Sequence, residues 1–93
     1  MKIYQSRSFE KKVKKFNEQQ KLELDNGIKQ IIQKPSIGSE KKGDLKGVFI
    51  HKFNIQNQLY LLAYRFNKES LELIMIGPHE NYYRDLKSYL KNQ

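Results

Sequence analysis

Three stretches in the second half of the chain carry the apolar patterns of β-strands. They run from Val48 to Ile55, from Leu59 to Phe66 and from Leu71 to Gly77, with short polar breaks between them. Consecutive strands joined by such short turns pair in an antiparallel manner. The third stretch is apolar on both faces apart from Glu72, so we predict a central strand that is covered on both sides.

The first third of the chain follows the period of an α-helix after a short strand from Lys2 to Gln5, in which we predict that Ile3 is buried. A serine at position 6 or 8 is suited to cap a first helix, and Asn17 is suited to cap a second helix that ends near residue 34. The apolar stripes of the two helices are Phe9, Val13 and Phe16, then Leu24, Ile28, Ile31 and Ile32. Gly27 weakens such a helix by about 1 kcal/mol, so we interpret it as a close approach to a neighbouring element.

Residues 36 to 47 contain three glycines and several charges, and we predict a long loop that Leu45 anchors to the core. Glu40 in this loop either belongs to a site, where it would act as a base, or borders it, and its ordinary interpretation is a solvated glutamate. A last helix from Glu80 to Leu90 is predicted to cover the other face of the sheet or its rim. The predicted fold class is α+β, a single domain of residues 1–93. It has a small, largely antiparallel sheet of about four strands, two N-terminal helices on one face and a C-terminal helix.

Composition narrows the choice of function. The 93 residues allow one modest core, and the absence of cysteine excludes disulfides, a thiolate nucleophile and zinc sites built on cysteine. No apolar run reaches the roughly twenty residues of a membrane span, and no signal-peptide pattern opens the chain, so we expect a cytoplasmic protein. The formal net charge of +8 favours nucleic acid or a nucleoprotein as partner, although a solvated lysine-rich surface gives the same charge.

The chain is organised around residues 73–83, where the last strand ends at Gly77-Pro78 and is followed by His79. A Gly-Pro pair continues neither a strand nor a helix easily, so this corner determines where His79 points. With a helix starting near Glu80, His79 and Tyr83 are four positions apart and lie on one helix face. This pair is the leading candidate for chemistry.

The order of these motifs resembles the RelE/ParE superfamily of bacterial toxins from type II toxin-antitoxin systems, over essentially the whole chain. The motifs that carry the resemblance are Pro-Ser-Ile-Gly at 35–38, Asp-Leu-Lys-Gly at 44–47, Leu-Leu-Ala-Tyr-Arg at 61–65, and Ile-Gly-Pro-His-Glu-Asn-Tyr-Tyr at 76–83. RelE-type members are small basic α+β endoribonucleases. They cleave messenger RNA in the ribosomal A site and are inhibited by a cognate antitoxin.

The resemblance implies a ribosome-dependent mRNA endonuclease (an mRNA interferase, and so a hydrolase) that inhibits translation. In such enzymes the substrate's 2′-hydroxyl attacks the phosphate, and neither a metal nor another cofactor is needed. The reaction needs a base for the hydroxyl proton, cations for the charge on the phosphate and an acid for the leaving 5′-oxygen. The implied partners are an antitoxin, the ribosome and mRNA, with no role for a membrane.

Carried over by position, the resemblance assigns the catalytic roles to four residues. His79 contacts the scissile phosphate or transfers a proton, Tyr83 stacks on or orients a base, and Lys52 acts as base or phosphate clamp. Arg65, on the adjacent strand, is suited to meet a phosphate with its planar fork. The candidate RNA contacts are Asn54, Lys46, Lys42 and Lys41.

One position departs from the family pattern. Many members carry an arginine where this chain has Leu61, and we expect Arg65, four residues further along the same sheet face, to substitute for it in part. The histidine-dependent branch that resembles YafQ also lacks this arginine, so Leu61 argues against the arginine-centred branch without excluding a nuclease.

Each candidate also has an ordinary structural interpretation. His79 would cap the last helix, Arg65 would pair with Glu72, and Lys52 would be one more solvated lysine. His51 faces the core side or a rim. Tyr82, Tyr83 and Tyr89 would be core or interface aromatics.

Two other functions share the expected fold. One is a ParE-like toxin that poisons DNA gyrase by binding and has no nuclease activity. The other is a catalytically silent homologue that acts within a complex with its antitoxin. The process that stops on expression separates them: translation for the nuclease, replication for the gyrase poison, and neither for the silent binder.

Overall fold

A five-stranded mixed sheet is the middle layer of the computed structural model, which describes residues 1–92. The strands lie in the order β1-β5-β4-β3-β2. Their bounds are Lys2–Gln5 for β1, Ser39–Glu40 for β2, Phe49–Ile55 for β3, Gln58–Phe66 for β4 and Ser70–Pro78 for β5. The helices are α1 (Arg7–Lys14), α2 (Glu18–Gln33) and α3 (Tyr82–Lys91), and two 3-10 turns cover Pro35–Ile37 and Gly43–Leu45. Residue 93 of the predicted domain lies outside the described residues.

Alternation along the strands divides the core into two layers, one on each side of the sheet. Tyr60, Leu62 and Tyr64 of β4 face α1 and α2, whereas Leu61 and Ala63 face α3. The predicted α+β class, with two helices on one face and the third on the other, is confirmed. The number of strands is five because β1 pairs in parallel with β5, and because the loop before β3 adds the two-residue strand β2.

Local sequence signals account for the helix starts and for the approach at Gly27. The hydroxyl of Ser6 accepts a hydrogen bond from the Phe9 N–H at 3.0 Å and caps α1. Asn17 forms a reciprocal capping box with Gln20 at the start of α2. A Cβ atom added at Gly27 would lie 2.6 Å from the Phe53 ring, so the predicted close approach to a neighbouring element is confirmed.

Several predicted details are wrong. Ile3 is 43% exposed because β1 is an edge strand, and Ile32 is 40% exposed on the outer side of α2. β5 extends through Pro78, which pairs with Tyr60, so the Gly-Pro pair does not end the strand at Gly77. The last helix begins at Tyr82 rather than at residue 80, because Asn81 has a left-handed backbone with φ of 59°.

The segment predicted as a long loop is held to the sheet by Tyr64. The Tyr64 hydroxyl donates to the Pro35 carbonyl at 2.6 Å and accepts from the Gly38 N–H at 3.0 Å. Gly38 has no room for a side chain, because a Cβ there would lie 2.7 Å from the same hydroxyl. Leu45 is 4% exposed, which confirms its predicted role as the anchor. The segment therefore crosses one edge of the sheet in a defined position.

Candidate functional site

The side of the sheet that carries α3 is only partly covered by that helix. α3 and the elements beside it bury Leu61, Ala63 and Ile74, while Lys52 and Asn54 on β3 remain exposed. We call this uncovered part the open face and define it by Lys52, Asn54 and Leu59 of the hairpin and by His79 after β5. Lys52 pairs with Leu61, which in turn pairs with Gly77, so one row of the sheet leads across to the His79 corner.

Tyr82 fixes the corner that presents His79. Its hydroxyl donates to the Met75 carbonyl at 2.6 Å, beside the bulge where the β4-β5 register shifts. Burial raises the pKa of Tyr82 well above its ordinary value, and the Ala63 N–H that faces the oxygen offsets only part of this effect. Tyr82 therefore stays a neutral donor that ties the first turn of α3 to the strand before it.

His79 itself lies outside the helix. Asn81 is the N-cap residue of α3, and the His79 carbonyl accepts a hydrogen bond from the Tyr82 N–H at 3.2 Å. The alternative in which His79 caps the helix is therefore wrong, and its imidazole is exposed.

His79, Tyr83 and Lys41 form an aromatic and cationic cluster at the edge of the open face. The rings of His79 and Tyr83 meet edge to face, with centroids 6.3 Å apart. The Lys41 ammonium lies 5.2 Å from the centre of the Tyr83 ring, within cation-π distance. Two segments remote in sequence thus converge: the corner from the end of β5 to the start of α3, which carries His79 and Tyr83, and the segment between β2 and β3, which carries Lys41.

The lysines predicted to contact RNA lie around this cluster. Lys41 is half-buried, whereas Lys42 and Lys46 are exposed. The backbones of Lys41 and Lys46 are bridged to each other, and the Lys41 N–H donates to the Val48 carbonyl at 2.9 Å. The three cations therefore occupy one short segment, of which only Lys41 contacts the aromatic group.

Arg65 is not brought together with these residues. It forms an ion pair with Glu72 at 3.4 Å, in which the two side chains are 44% and 41% exposed. Along β4 it lies four residues from Leu61, about 13 Å at the usual rise of a strand. The structural interpretation of Arg65 as the partner of Glu72 is confirmed, and at this distance Arg65 does not fill the place of an arginine at position 61.

The second histidine of the chain faces the opposite layer. His51 is 8% exposed, lies against Phe53 with ring centroids 5.1 Å apart, and has its Nε2 atom 2.8 Å from Oε1 of Gln30 on α2. Burial lowers the pKa of His51 below its ordinary value. This histidine belongs to the packing between β3 and α2, which confirms that it faces the core side.

The chemistry available at the open face follows from these positions. The exposed imidazole of His79 is able to give or take a proton, and lysine ammonium groups nearby are able to balance a phosphate charge. Position 61 is a leucine that is fully buried, at 0% exposure, so no guanidinium group is present there. No local pattern predicts the contact of Lys41 with Tyr83, because 42 positions separate the two residues.

Residues 3–87 match the model of the family described as ParE-like toxin of type II bacterial toxin-antitoxin system. Because the match covers most of the chain, this protein belongs to that family of toxins. The conserved hypothetical protein HP0894 from Helicobacter pylori, known from a solution structure, is similar at 21% identity and a TM-score of 0.46, over 85% of this chain and 94% of that one. No curated protein matches the sequence. In the described part of the chain, none of the helices combines the length and the apolar character needed to cross a membrane.

Proposed function

We propose that this toxin is a ribosome-dependent mRNA endonuclease. The observation that carries the proposal is the cluster of His79, Tyr83 and Lys41 at the edge of the open face, where an exposed imidazole lies beside a half-buried aromatic ring and a half-buried lysine. A backbone of negative phosphates is attracted to such a face by the formal net charge of +8. Membership of a type II toxin family implies a protein antitoxin as the second partner.

The proposed reaction is a transesterification within the RNA strand. A base removes the proton of the ribose 2′-hydroxyl, and the 2′-oxygen then forms a bond to the adjacent phosphorus. The bond from phosphorus to the 5′-oxygen breaks, and that oxygen takes a proton from an acid. The products are a 2′,3′-cyclic phosphate, or the 3′-phosphate that its hydrolysis yields, and a 5′-hydroxyl end.

We assign roles according to position. His79 transfers a proton at the cut, and Lys52, on the row that leads to Gly77, stabilises the charge that develops on the phosphate. Tyr83 supplies a face on which a base stacks. Asn54 and the lysines of the 41–46 segment hold the strand on either side, whereas Arg65 acts through its pair with Glu72 in the structure of the hairpin.

A second function has its own observation in support. A toxin that acts on DNA gyrase by binding alone does not need a guanidinium at position 61, and here that position is a buried leucine. The ParE-like description of the family agrees with this alternative as well as with the first. In this alternative function, the basic open face serves as a binding surface, and His79 takes no part in proton transfer.

Induced expression in a bacterial host separates the functions. Protein synthesis, DNA synthesis and messenger 5′ ends are followed together for the wild type, for His79→Ala and for the control Lys68→Ala, which lies in the turn at the other end of β5. Translational arrest with new messenger cuts in the wild type and the control, absent in His79→Ala, is the expected result. Arrest of replication with intact messengers would favour the gyrase poison, and no arrest would favour the silent binder.

A further inference from the structure

The segment that carries Lys41 is attached to the middle of the sheet by one buried hydroxyl group. Tyr64 is fully buried in β4, on the side of the sheet that faces α1 and α2, with its ring stacked on that of Phe49 at 5.7 Å between centroids. Its hydroxyl donates to the Pro35 carbonyl at 2.6 Å and accepts from the Gly38 N–H at 3.0 Å. Burial raises the pKa of Tyr64, and the bond from Gly38 offsets only part of that effect, so the hydroxyl stays neutral.

Gly38 is required at this point by lack of space and not by its backbone conformation. Its φ of −75° is one that any residue adopts. A Cβ atom there would lie 2.7 Å from the Tyr64 hydroxyl oxygen and 2.8 Å from the carbonyl oxygen of Ile50 on β3. The chain therefore packs at Gly38 against the side chain of one strand and the backbone of the next.

The direction in which Lys41 points depends on the register of a very short strand. β2 pairs with β3 through two residues, Ser39 opposite Ile50 and Glu40 opposite Phe49. Directly paired residues point to the same side of a sheet. Ile50 belongs to the layer under α3, whereas Phe49 packs in the layer under α1 and α2. Glu40 therefore faces away from the open face, and Lys41, the next residue, faces the α3 side.

A shift of one residue in this register would exchange the two side chains. Because side chains alternate along a strand, the shift would turn the carboxylate of Glu40 towards the Tyr83 ring and the ammonium of Lys41 away from it. In the observed register the ammonium lies 5.2 Å from the centre of that ring. Two paired residues specify a register weakly. Gly38, which Tyr64 binds, directly precedes β2, so the hydroxyl is placed to fix the register.

We propose that Tyr64 is a positioning residue of the candidate site. From the opposite layer of the sheet, its hydroxyl fixes the register in which the ammonium of Lys41, and not the carboxylate of Glu40, meets the Tyr83 ring. Leu45 anchors the far end of the same segment, and Tyr64 holds the near end. The part of this proposal that concerns RNA rests on the proposed function, whereas the part that concerns the contact of Lys41 with Tyr83 is tested without RNA.

The first test observes Lys41 by NMR in the full chain of the wild type, of Tyr64→Phe and of the control Tyr60→Phe. The control removes a hydroxyl group from the same face of β4, where Tyr60 packs against Phe16. The Tyr83 ring shields the ε-protons of Lys41, and the shift lost in Tyr83→Leu measures this shielding. We expect Tyr64→Phe to lose at least about half of the shielding and to speed exchange of the Lys41 amide about tenfold or more. Tyr60→Phe is expected to keep both.

The second test is a double-mutant cycle on cleavage of a messenger by purified ribosomes with the protein. Lys41→Ala and Tyr64→Phe are each expected to raise KM by about three- to tenfold with little change in kcat, because Lys41 holds the RNA strand and transfers no proton. The combined variant is expected to cleave no worse than Lys41→Ala alone, because Tyr64 acts through Lys41. Tyr60→Phe should cleave like the wild type.

The proposal is overturned by unchanged Lys41 signals in Tyr64→Phe, or by losses that add in the cycle, as they would for a merely structural tyrosine. Thermal unfolding checks that each variant folds. Gly38→Ala disturbs the same hydrogen bonds from the other partner, so its Lys41 signals decide the matter where Tyr64→Phe does not fold. Absence of cleavage by the wild type would contradict the nuclease proposal, and the NMR comparison would still decide the role of Tyr64.

Discussion

The two ends of the α3 side of the sheet differ in how their positively charged side chains are paired. At one end, Arg65 is paired with Glu72 across neighbouring strands. At the other, Lys52 and His79 are exposed, and the ion pairs in the described part of the chain involve neither of them. A cation that already has a carboxylate partner contributes to the fold, whereas an exposed cation such as Lys52, which takes part in neither of these ion pairs, is available to a phosphate. Position relative to α3, more than residue type, therefore separates structural from functional cations here.

The largest effect that tests this difference is expected from removing the imidazole of His79. His79→Ala is expected to lower the rate of RNA cleavage by at least about 100-fold, the usual contribution of a positioned acid or base. The melting temperature should stay close to that of the wild type, because the side chain is exposed. Single-turnover cleavage of a messenger on purified ribosomes measures the first effect, and calorimetry of the purified protein measures the second. Undiminished cleavage by the folded variant would remove His79 from the site.

Tyr83 tests whether the aromatic ring of the cluster binds a base. Tyr83→Ala is expected to weaken RNA binding by about 1–3 kcal/mol, the cost of one lost base stack. Tyr83→Phe keeps the ring and is the matched control, so it should bind nearly as well as the wild type. Fluorescence titration with a short RNA measures both. Equal losses in the two variants would point to the hydroxyl rather than to the ring.

Lys52 and Arg65 compare the two ends directly. Lys52→Ala is expected to lower cleavage about tenfold, less than His79→Ala because Lys41 and its neighbours supply further positive charge. Arg65→Ala is expected to leave cleavage unchanged and to lower the free energy of unfolding by about 0.2–1 kcal/mol, as for an exposed ion pair. Cleavage rates and denaturant titration of both variants provide the comparison. A larger loss of cleavage in Arg65→Ala would reverse the assignment of the two ends.

The smallest expected effect concerns the covered layer on the other side of the sheet. Burial lowers the pKa of His51 in the folded chain below its ordinary value of 6.5, so below about pH 6.5 the unfolded chain binds the proton more readily. The stability due to neutral His51 is complete above that pH and is lost as the pH falls through the folded pKa. Thermal unfolding of the wild type and of His51→Leu between about pH 7.5 and 5 should show a steeper loss for the wild type. Parallel pH dependences would contradict this account.

Sequence reasoning succeeded where the signal is local. The caps at Ser6 and Asn17 depend on a few neighbouring residues, and a glycine inside a helix at 27 and a single apolar residue in a polar segment at 45 are signals at one position, although the contacts they make are with distant residues. It failed for Ile3, because its exposure depends on the edge position that β1 takes beside β5, some 70 residues away in sequence. Local periodicity of apolar residues does not predict strand pairing over so long a separation in sequence.

The candidate site shows the same division. His79 and Tyr83 were identified from the corner after the last strand, four positions apart. Lys41 was named for its charge alone, and its contact with the Tyr83 ring depends on how the 36–47 segment crosses the sheet. Arg65 lies on the same face of the same sheet but forms an ion pair instead of joining the cluster, because its register on β4 places it opposite Glu72. Residue type and spacing thus identify the candidate residues, and the register of the strands determines which of them lie close together.

Cleavage of a defined messenger on purified ribosomes tests the central claim most directly. The wild type, His79→Ala and Arg65→Ala are compared, and the new RNA ends are analysed for a 2′,3′-cyclic phosphate or 3′-phosphate and a 5′-hydroxyl. The account predicts these ends with the wild type and Arg65→Ala and their loss with His79→Ala. Intact messenger with the wild type, or the same cuts with His79→Ala, would contradict it.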